Sequence, residues 1–178
     1  MEKPVLDTRQ DAYRLLQALG APTRLLVHVQ LVGEAADRLV QEYSDLGITF
    51  DARLIELGVA VHDTGKIKHP EELDQSGSLH EPAGKIMLLA NGVQAEVAQC
   101  CVSHAQWQGS EVSFEERSIA LADKLWKGKR EEALELLVID DVAARLGVDR
   151  WDVFSRLDSV FEEIAAEGGE RLERSRRN

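Results

Sequence analysis

The sequence predicts an all-α protein. Apolar residues recur at helical spacing along nearly the whole chain, and extended runs with the alternating, β-branched pattern of strands are missing. Asn-Gly turns between such runs, which would indicate hairpins, are missing as well. With 178 residues, of which 44% are apolar and 30% charged, the chain has the size and composition of one globular domain with a full core.

Start and stop signals divide the chain into helices. Asp51 is a good N-cap residue ahead of an apolar run, and Ser113 and Glu116 have the spacing of a capping box. Gly20 and Gly65 stand where helices are expected to end. These signals predict helices over 8–19, 23–43, 51–62, 78–89, 93–104, 113–126, 130–146 and 149–167, a loop over 66–77 and a frayed tail over 168–178.

The chain is strongly acidic, with a formal net charge of −11 and a pI of about 4.9. Repulsion between like charges argues against a nucleic-acid polymer as the partner. A small phosphorylated substrate is compatible with this charge if metal ions or a local basic patch offset the repulsion. The apolar runs are too short to cross a bilayer and the N-terminal segment lacks a signal-peptide core, so we expect a cytoplasmic protein without a membrane partner.

The two cysteines, Cys100 and Cys101, are neighbours in the sequence. Adjacent cysteines are poorly placed for an ordinary structural disulfide. We interpret them as small residues of the core or of a helix surface, with soft metal ligation as the alternative.

Four of the five histidines share an unusual setting, on or beside the apolar side of a predicted helix. A lone histidine of this kind is usually a hydrogen-bonded core residue, and a lone aspartate can cap or pair with a lysine. His69 differs, because it lies in the predicted loop beside Pro70 and is expected to be solvated. The polar residues on apolar helical segments are His28, His62 with Asp63, His80, His104 and Asp123.

Together these six groups indicate a metal site. Polar groups directed inward from five separate segments would be costly unless they were paired, and a metal centre satisfies all of them at once. Imidazole nitrogen and carboxylate oxygen suit iron, manganese, cobalt, nickel or zinc, whereas a structural zinc site would be rich in thiolates.

The ordered set of residues resembles the HD-domain superfamily of metal-dependent phosphohydrolases, and within it the dinuclear members with the pattern H…HD…H…H…D. The segment "HDTGK" is similar to the HD-x-G-K turn, "HEPAGKIML" to a helix start of the form H-x-x-x-G with Gly84 at the glycine, and "LADKLW" to the final A-D-K segment. The resemblance covers residues from about 22 to 130 and leaves a C-terminal helical extension, 130–167, outside it.

This resemblance implies a helical bundle of about five helices around two divalent transition-metal ions. It also implies that a hydroxide shared by the metals attacks a nucleotide or a small phosphorylated metabolite, as a phosphomonoesterase or phosphodiesterase. Asp63 would bridge the two metals and thereby take part in catalysis. The implied ligands are His28, His62, Asp63 and Asp123 for the first metal, and Asp63, His80 and His104 for the second.

Three lysines are candidates for binding the substrate. Lys66 follows the His62–Asp63 pair closely enough to face the open side of the site, where it would stabilise a phosphate oxygen and assist catalysis. Lys124 and Lys127 follow the last implied ligand and could orient a phosphate. Each of the three could instead be a solvated lysine at a helix end.

Two other functions use the same ligand set. Mixed-valent diiron oxygenases such as myo-inositol oxygenase share it, and a non-catalytic nucleotide sensor could retain the pocket. Cleavage of cyclic dinucleotides by proteins of the HD-GYP type is disfavoured, because Ser103 stands in place of a second histidine and no Gly-Tyr-Pro follows. The helices after residue 130 could cover the pocket or form a homodimer contact.

Overall fold

Ten α-helices account for most of residues 6–177, the part of the chain that this computed structural model describes, and no β-strand occurs within it. The predicted all-α class is therefore confirmed. The helices are α1 (Arg9–Ala18), α2 (Thr23–Asp45), α3 (Ala52–Val61), α4 (His80–Ala90), α5 (Ala95–Ala98), α6 (Cys100–Ser103), α7 (Phe114–Leu125), α8 (Glu132–Leu146), α9 (Arg150–Ala166) and α10 (Gly168–Arg176).

The predicted capping residues act at the helix starts. The Asp51 side chain accepts a hydrogen bond from the Leu54 backbone N–H and opens α3. Ser113 and Glu116 exchange the two hydrogen bonds of a capping box at α7, which satisfies N–H groups that the helix itself leaves unpaired. These caps fix where α3 and α7 begin, and both helices carry residues of the candidate site at or near their far ends.

The core lies between α2, α3 and α7, with α8 and α9 packed over it. Leu39 of α2, Ile55 of α3 and Ile119 of α7 are completely buried there. Tyr43 is also buried, and its hydroxyl shares a hydrogen bond of 2.9 Å with Ser118 Oγ, so the polar end of the ring is satisfied. The three central helices thus form a rigid frame for the side chains at their ends.

The C-terminal tail differs from the prediction. We expected residues 168–178 to be frayed, but Gly168–Arg176 form α10, packed against α2 and α9. Arg171 is buried and donates hydrogen bonds to the carbonyl oxygens of Trp126 and Ile164. These bonds hold a segment whose charged composition suggested disorder; residue 178 lies outside the described residues.

Two other segments depart from the predicted boundaries. The predicted loop 66–77 contains the second half of a short 3-10 helix, Thr64–Ile67, and all of a second one, Pro70–Leu73. The predicted helix 93–104 is divided into α5 and α6, with Gln99 between them. Within the described part of the chain, no helix is both long enough and apolar enough to cross a membrane; residues 1–5 of the segment inspected for a signal peptide lie outside that part.

Candidate metal centre

The end of α3 places two polar side chains in the interior. His62 and Asp63 directly follow the helix and are both buried. The His62 Nδ1–H donates to the Val59 carbonyl oxygen at 2.7 Å, and the Thr64 hydroxyl donates to the Val61 carbonyl oxygen at 2.6 Å. These bonds to the last turn of α3 fix the imidazole and direct its Nε2 away from the helix.

One group of donor atoms forms around Asp63 Oδ2. This oxygen lies 2.9 Å from His28 Nε2 on α2 and 3.4 Å from His62 Nε2. Asp123 of α7 joins them, with its Oδ1 at 3.2 Å from His62 Nε2 and 3.7 Å from His28 Nε2. All four ligand atoms lie within 4.8 Å of one another, as a metal-binding cluster requires.

A second group forms around the other oxygen of the same carboxylate. Asp63 Oδ1 lies 3.4 Å from His80 Nε2, at the start of α4, and 3.6 Å from His104 Nε2, just after α6. The His104 Nδ1–H donates to the Cys100 carbonyl oxygen at 3.0 Å. The two oxygens of Asp63 therefore face two different clusters, and all six residues predicted from the sequence are brought together.

The donor set fits divalent metal ions. In His62, His80 and His104, Nδ1 makes a hydrogen bond to a protein oxygen outside the clusters. Nε2 of each ring is therefore the atom that faces its cluster. This pairing of a ligating imidazole with an outer oxygen is usual at metal sites. His28 Nε2 is a buried atom for which the described residues provide no hydrogen bond of acceptable geometry, despite its closeness to Asp63. Such an orphaned nitrogen beside carboxylates is satisfied by a cation.

A residue that the sequence reasoning missed, Glu72, positions His80. Its Oε1 accepts a hydrogen bond of 2.6 Å from His80 Nδ1 and one of 3.0 Å from the His80 backbone N–H. Its Oε2 accepts from the Leu79 backbone N–H at 3.2 Å. Glu72 is buried whereas its neighbour Glu71 is exposed, and no local pattern in the sequence distinguishes the two.

The charges of the first cluster strongly shift the pKa values of its members. Burial acts to lower the pKa of His62, but the carboxylates of Asp63 and Asp123 outweigh it and raise that pKa well above its usual value. Burial acts in the opposite sense on the two acids, yet His62 and its neighbours hold the pKa of Asp63 well below the usual range and that of Asp123 at about 2. Both aspartates are therefore anionic at neutral pH, as metal ligands must be.

His104, in the second cluster, behaves differently. Burial, assisted by the charge of His62, lowers the pKa of His104 to about 4. The imidazole is therefore neutral at physiological pH, which is the form that binds a metal ion.

Two glycines permit the close approach that brings His80 to Asp63. A Cβ atom on Gly65 would collide with the backbone carbonyl of His80, and one on Gly84 would lie 2.9 Å from the Gly65 backbone nitrogen. The 3-10 turn after Asp63 therefore packs directly on the first turns of α4. This contact explains in physical terms why glycine stands in both "HDTGK" and "HEPAGK".

A cleft of about 490 Å³ opens beside the first cluster. It is lined by His28 and also by Lys66 and Lys127, two of the three predicted substrate-binding lysines. Lys66 Nζ lies 3.1 Å from Asp63 Oδ2. Lys124 is not among the residues that line this cleft; it is half-buried, and burial together with the nearby Lys129 lowers its pKa.

The residues predicted to be uninvolved lie elsewhere. His69 belongs to neither cluster, and its Nδ1 lies 3.4 Å from Glu71 Oε1. Trp107, in the loop after His104, is buried in the main hydrophobic cluster. Cys100 and Cys101 are buried free thiols whose pKa burial raises, so they are core residues as predicted.

Comparison with known proteins identifies the family but no individual relative. The model of the HD domain matches residues 25–127, a stretch that covers more than half of the chain and contains all six clustered residues. No curated protein and no solved structure matches. On the strength of the family match, the chain belongs to the HD-domain family.

Proposed function

We propose that this protein is a metal-dependent phosphohydrolase that acts on a nucleotide or another small phosphorylated molecule. The observation that carries the proposal is the placement of Asp63, whose two oxygens face separate clusters of ligand atoms. A carboxylate in this position can bridge two cations, and paired cations are suited to displacement at phosphorus. The HD-domain family, which is typical of metal-dependent phosphohydrolases, supports the same class of reaction.

The two clusters of ligand atoms correspond to two metal positions. His28, His62, Asp63 and Asp123 would hold one divalent ion, and Asp63, His80 and His104 the other. Such ions, when bound, make water a nucleophile at neutral pH and neutralise phosphoryl oxygens. The nitrogen and oxygen donors suit iron, manganese, cobalt, nickel or zinc.

The protein's own side chains would position the substrate. Lys66 lies on the cleft beside Asp63, where its ammonium group can bind a phosphate oxygen close to the clusters. Lys127 faces the same cleft and can hold the phosphate from another side. Glu72 fixes the orientation of the His80 ring through its short hydrogen bond. Together these groups would orient the phosphoryl group and keep the ligand nitrogens directed at the metals.

The charge distribution supports a small anionic substrate. The whole chain carries a formal charge of −11, which repels an extended polyanion. The cleft is locally cationic, because the charged side chains that line it are lysines and arginines. A small phosphorylated molecule can use this local field without approaching the acidic remainder of the surface.

Elemental analysis of the purified protein, followed by a hydrolysis screen, tests the proposal. We expect close to two divalent ions per chain and turnover of aryl phosphates or nucleotides with manganese under anaerobic conditions. Because oxidation of a substrate by the mixed-valent diiron reaction needs oxygen, iron-dependent oxygen uptake in place of hydrolysis would overturn the proposal. Tight nucleotide binding without turnover by the metal-loaded protein would instead identify a sensor.

A further inference from the structure

We propose that the C-terminal helix α10 completes the substrate cleft and that Arg176 binds a second phosphate group of the substrate. The inference rests on the proposed function and narrows its substrate class to molecules with at least two linked or neighbouring phosphates, such as nucleoside di- and triphosphates. Arg176 lies outside residues 25–127, the range matched by the HD-domain family.

The cleft extends from the metal clusters to the end of α10. His28, a member of the first cluster, contributes to its lining, and so does Arg176 in the last turn of α10. Lys66 and Lys127 line it as well, together with Arg24 at the start of α2. A ligand with one phosphate at the clusters can therefore extend along a cationic surface toward the C-terminus.

The four cations of the cleft are not equivalent. Arg24 forms an ion pair of 2.7 Å with Asp74, and Lys66 lies 3.1 Å from Asp63, so a carboxylate offsets each of these charges. The side chains of Lys127 and Arg176 make no ion pair or hydrogen bond with any other residue in the described range 6–177. Two uncompensated cations on one cleft of an acidic protein indicate an anionic ligand.

Arg176 is carried on a firmly attached helix. Arg174 makes two hydrogen bonds to Glu34 of α2, at 2.8 and 2.6 Å, and Arg171 is buried against the Trp126 carbonyl oxygen. These contacts lie within five residues of Arg176, so its backbone position is set by the fold. A guanidinium group placed in this way recognises phosphate with two parallel hydrogen bonds.

The size of the cleft agrees with a ligand larger than a single phosphate. Its volume of about 490 Å³ lies within the range of small-molecule sites. Orthophosphate bound at the metal clusters would leave the part of the cleft near Arg176 unused. A chain of two or three phosphates would reach further toward it.

Binding of inorganic pyrophosphate and orthophosphate, measured by calorimetry, tests the inference. The titrations use the full-length protein loaded with its divalent ions, in an excess of the free ion, because the inference places the first phosphate at the metal clusters and because pyrophosphate itself binds divalent ions. We compare the wild type with Arg176→Ala and with the matched control Arg177→Ala. Arg177 is an exposed arginine on the same turn that pairs with Glu173 at 2.8 Å.

We expect Arg176→Ala to weaken pyrophosphate binding about fivefold and orthophosphate binding less than twofold, while Arg177→Ala changes neither. An equal loss for both anions, or no loss for either, would overturn the inference. The outcome is separable from that of the proposed function. If pyrophosphate binding depends on Arg176 but the protein has no phosphatase activity, only the proposed hydrolase function is contradicted. If the protein hydrolyses nucleotides and Arg176→Ala changes neither KM nor kcat, only the proposed role of α10 is contradicted.

Discussion

The candidate metal centre and the C-terminal part of the chain bury polar groups in two different ways. In the C-terminal part of the chain the charged groups have local partners: Arg130, just before α8, donates to Glu135 at 2.8 Å and to Asp158 at 2.6 Å, and the buried Arg171 donates to two carbonyl oxygens and to Glu167. The Arg171 Nε has no hydrogen bond within residues 6–177, but it lies 3.9 Å from Glu34 Oε1. In the candidate metal centre the polar groups mainly face one another across short distances, and His28 Nε2 has no acceptable hydrogen bond within residues 6–177.

This difference distinguishes buried polar groups that hold the fold together from buried polar groups that are candidates for metal binding. A buried charge that has hydrogen-bond partners within the protein needs no further ligand in order to be kept in the interior. A set of buried imidazoles and carboxylates that converge on common points offers several ligand atoms to one cation. Replacement of a hydrogen-bonded buried charge such as Arg171 should change the free energy of unfolding. Replacement of a residue in the two ligand clusters should change the metal content of the protein.

Replacement of Asp63 by Ala should produce the largest effect. Because both clusters depend on this carboxylate, we expect both metals to be lost or severely weakened and hydrolysis to fall by about 10³-fold or more. Metal stoichiometry by elemental analysis and steady-state kinetics measure this. His69→Ala is the matched control, since His69 belongs to neither cluster. Retention of both metals by Asp63→Ala would refute the bridging role.

Replacement of Gly65 by Ala should affect the second cluster through the backbone. The added methyl group would collide with the His80 carbonyl and push α4 away from Asp63. A displacement of about 1 Å at a reacting centre reduces rates roughly 100-fold, and we expect a loss of this size in kcat. Gly169→Ala serves as control, because a Cβ there meets no atom within 4 Å. Equal activity of the two variants would show that the contact does not position His80.

Replacement of Glu72 by Gln should weaken metal binding at one cluster only. The change preserves the shape of the side chain but removes the charge that holds His80 Nδ1, and loss of such outer partners lowers metal affinity about 10-fold or more. A titration that resolves two binding steps should show one step weakened and the other unchanged. The control is Glu71→Gln, at an exposed neighbour. A uniform change in both steps would contradict the assignment of Glu72 to His80.

Replacement of Arg171 by Ala should leave the metals in place and lower stability. The change removes donors from the carbonyl oxygens of Trp126 and Ile164, so we expect the free energy of unfolding to fall by about 2 kcal/mol. Chemical denaturation measures this, with Arg177→Ala as the control at an exposed position. Loss of metal from folded Arg171→Ala protein would remove the distinction between the two regions.

The candidate ligands could be predicted because their chemistry is unusual for their setting. His28, His62 and Asp123 stand in apolar helical patterns where polar groups are costly, and their order along the chain resembles a known family. The structure brings these residues together at the distances that metal ligation requires. Caps such as Asp51 and Ser113 were predictable for a related reason, since they act on backbone groups only three residues away.

Glu72, α10 and the role of Arg176 could not be predicted in this way. Glu72 is a surface-type residue in a loop pattern, and only packing decides that it lies buried against His80. The tail is rich in charged residues, a composition that suggested a frayed segment. Nevertheless, α10 is held by contacts to residues more than forty positions away, Trp126 and Glu34. Local propensity carries no information about such partners.

The sequence by itself therefore determined the helical class, most of the helix starts and the identity of the groups that can hold metal, because these depend on local periodicity and on the chemistry of single side chains. Only the tertiary structure decided that the two oxygens of Asp63 face different clusters. It alone also decided that Arg176 shares a cleft with His28. Both facts depend on how distant helices pack, and packing is set by the fit of many side chains at once and by no single stretch of the chain.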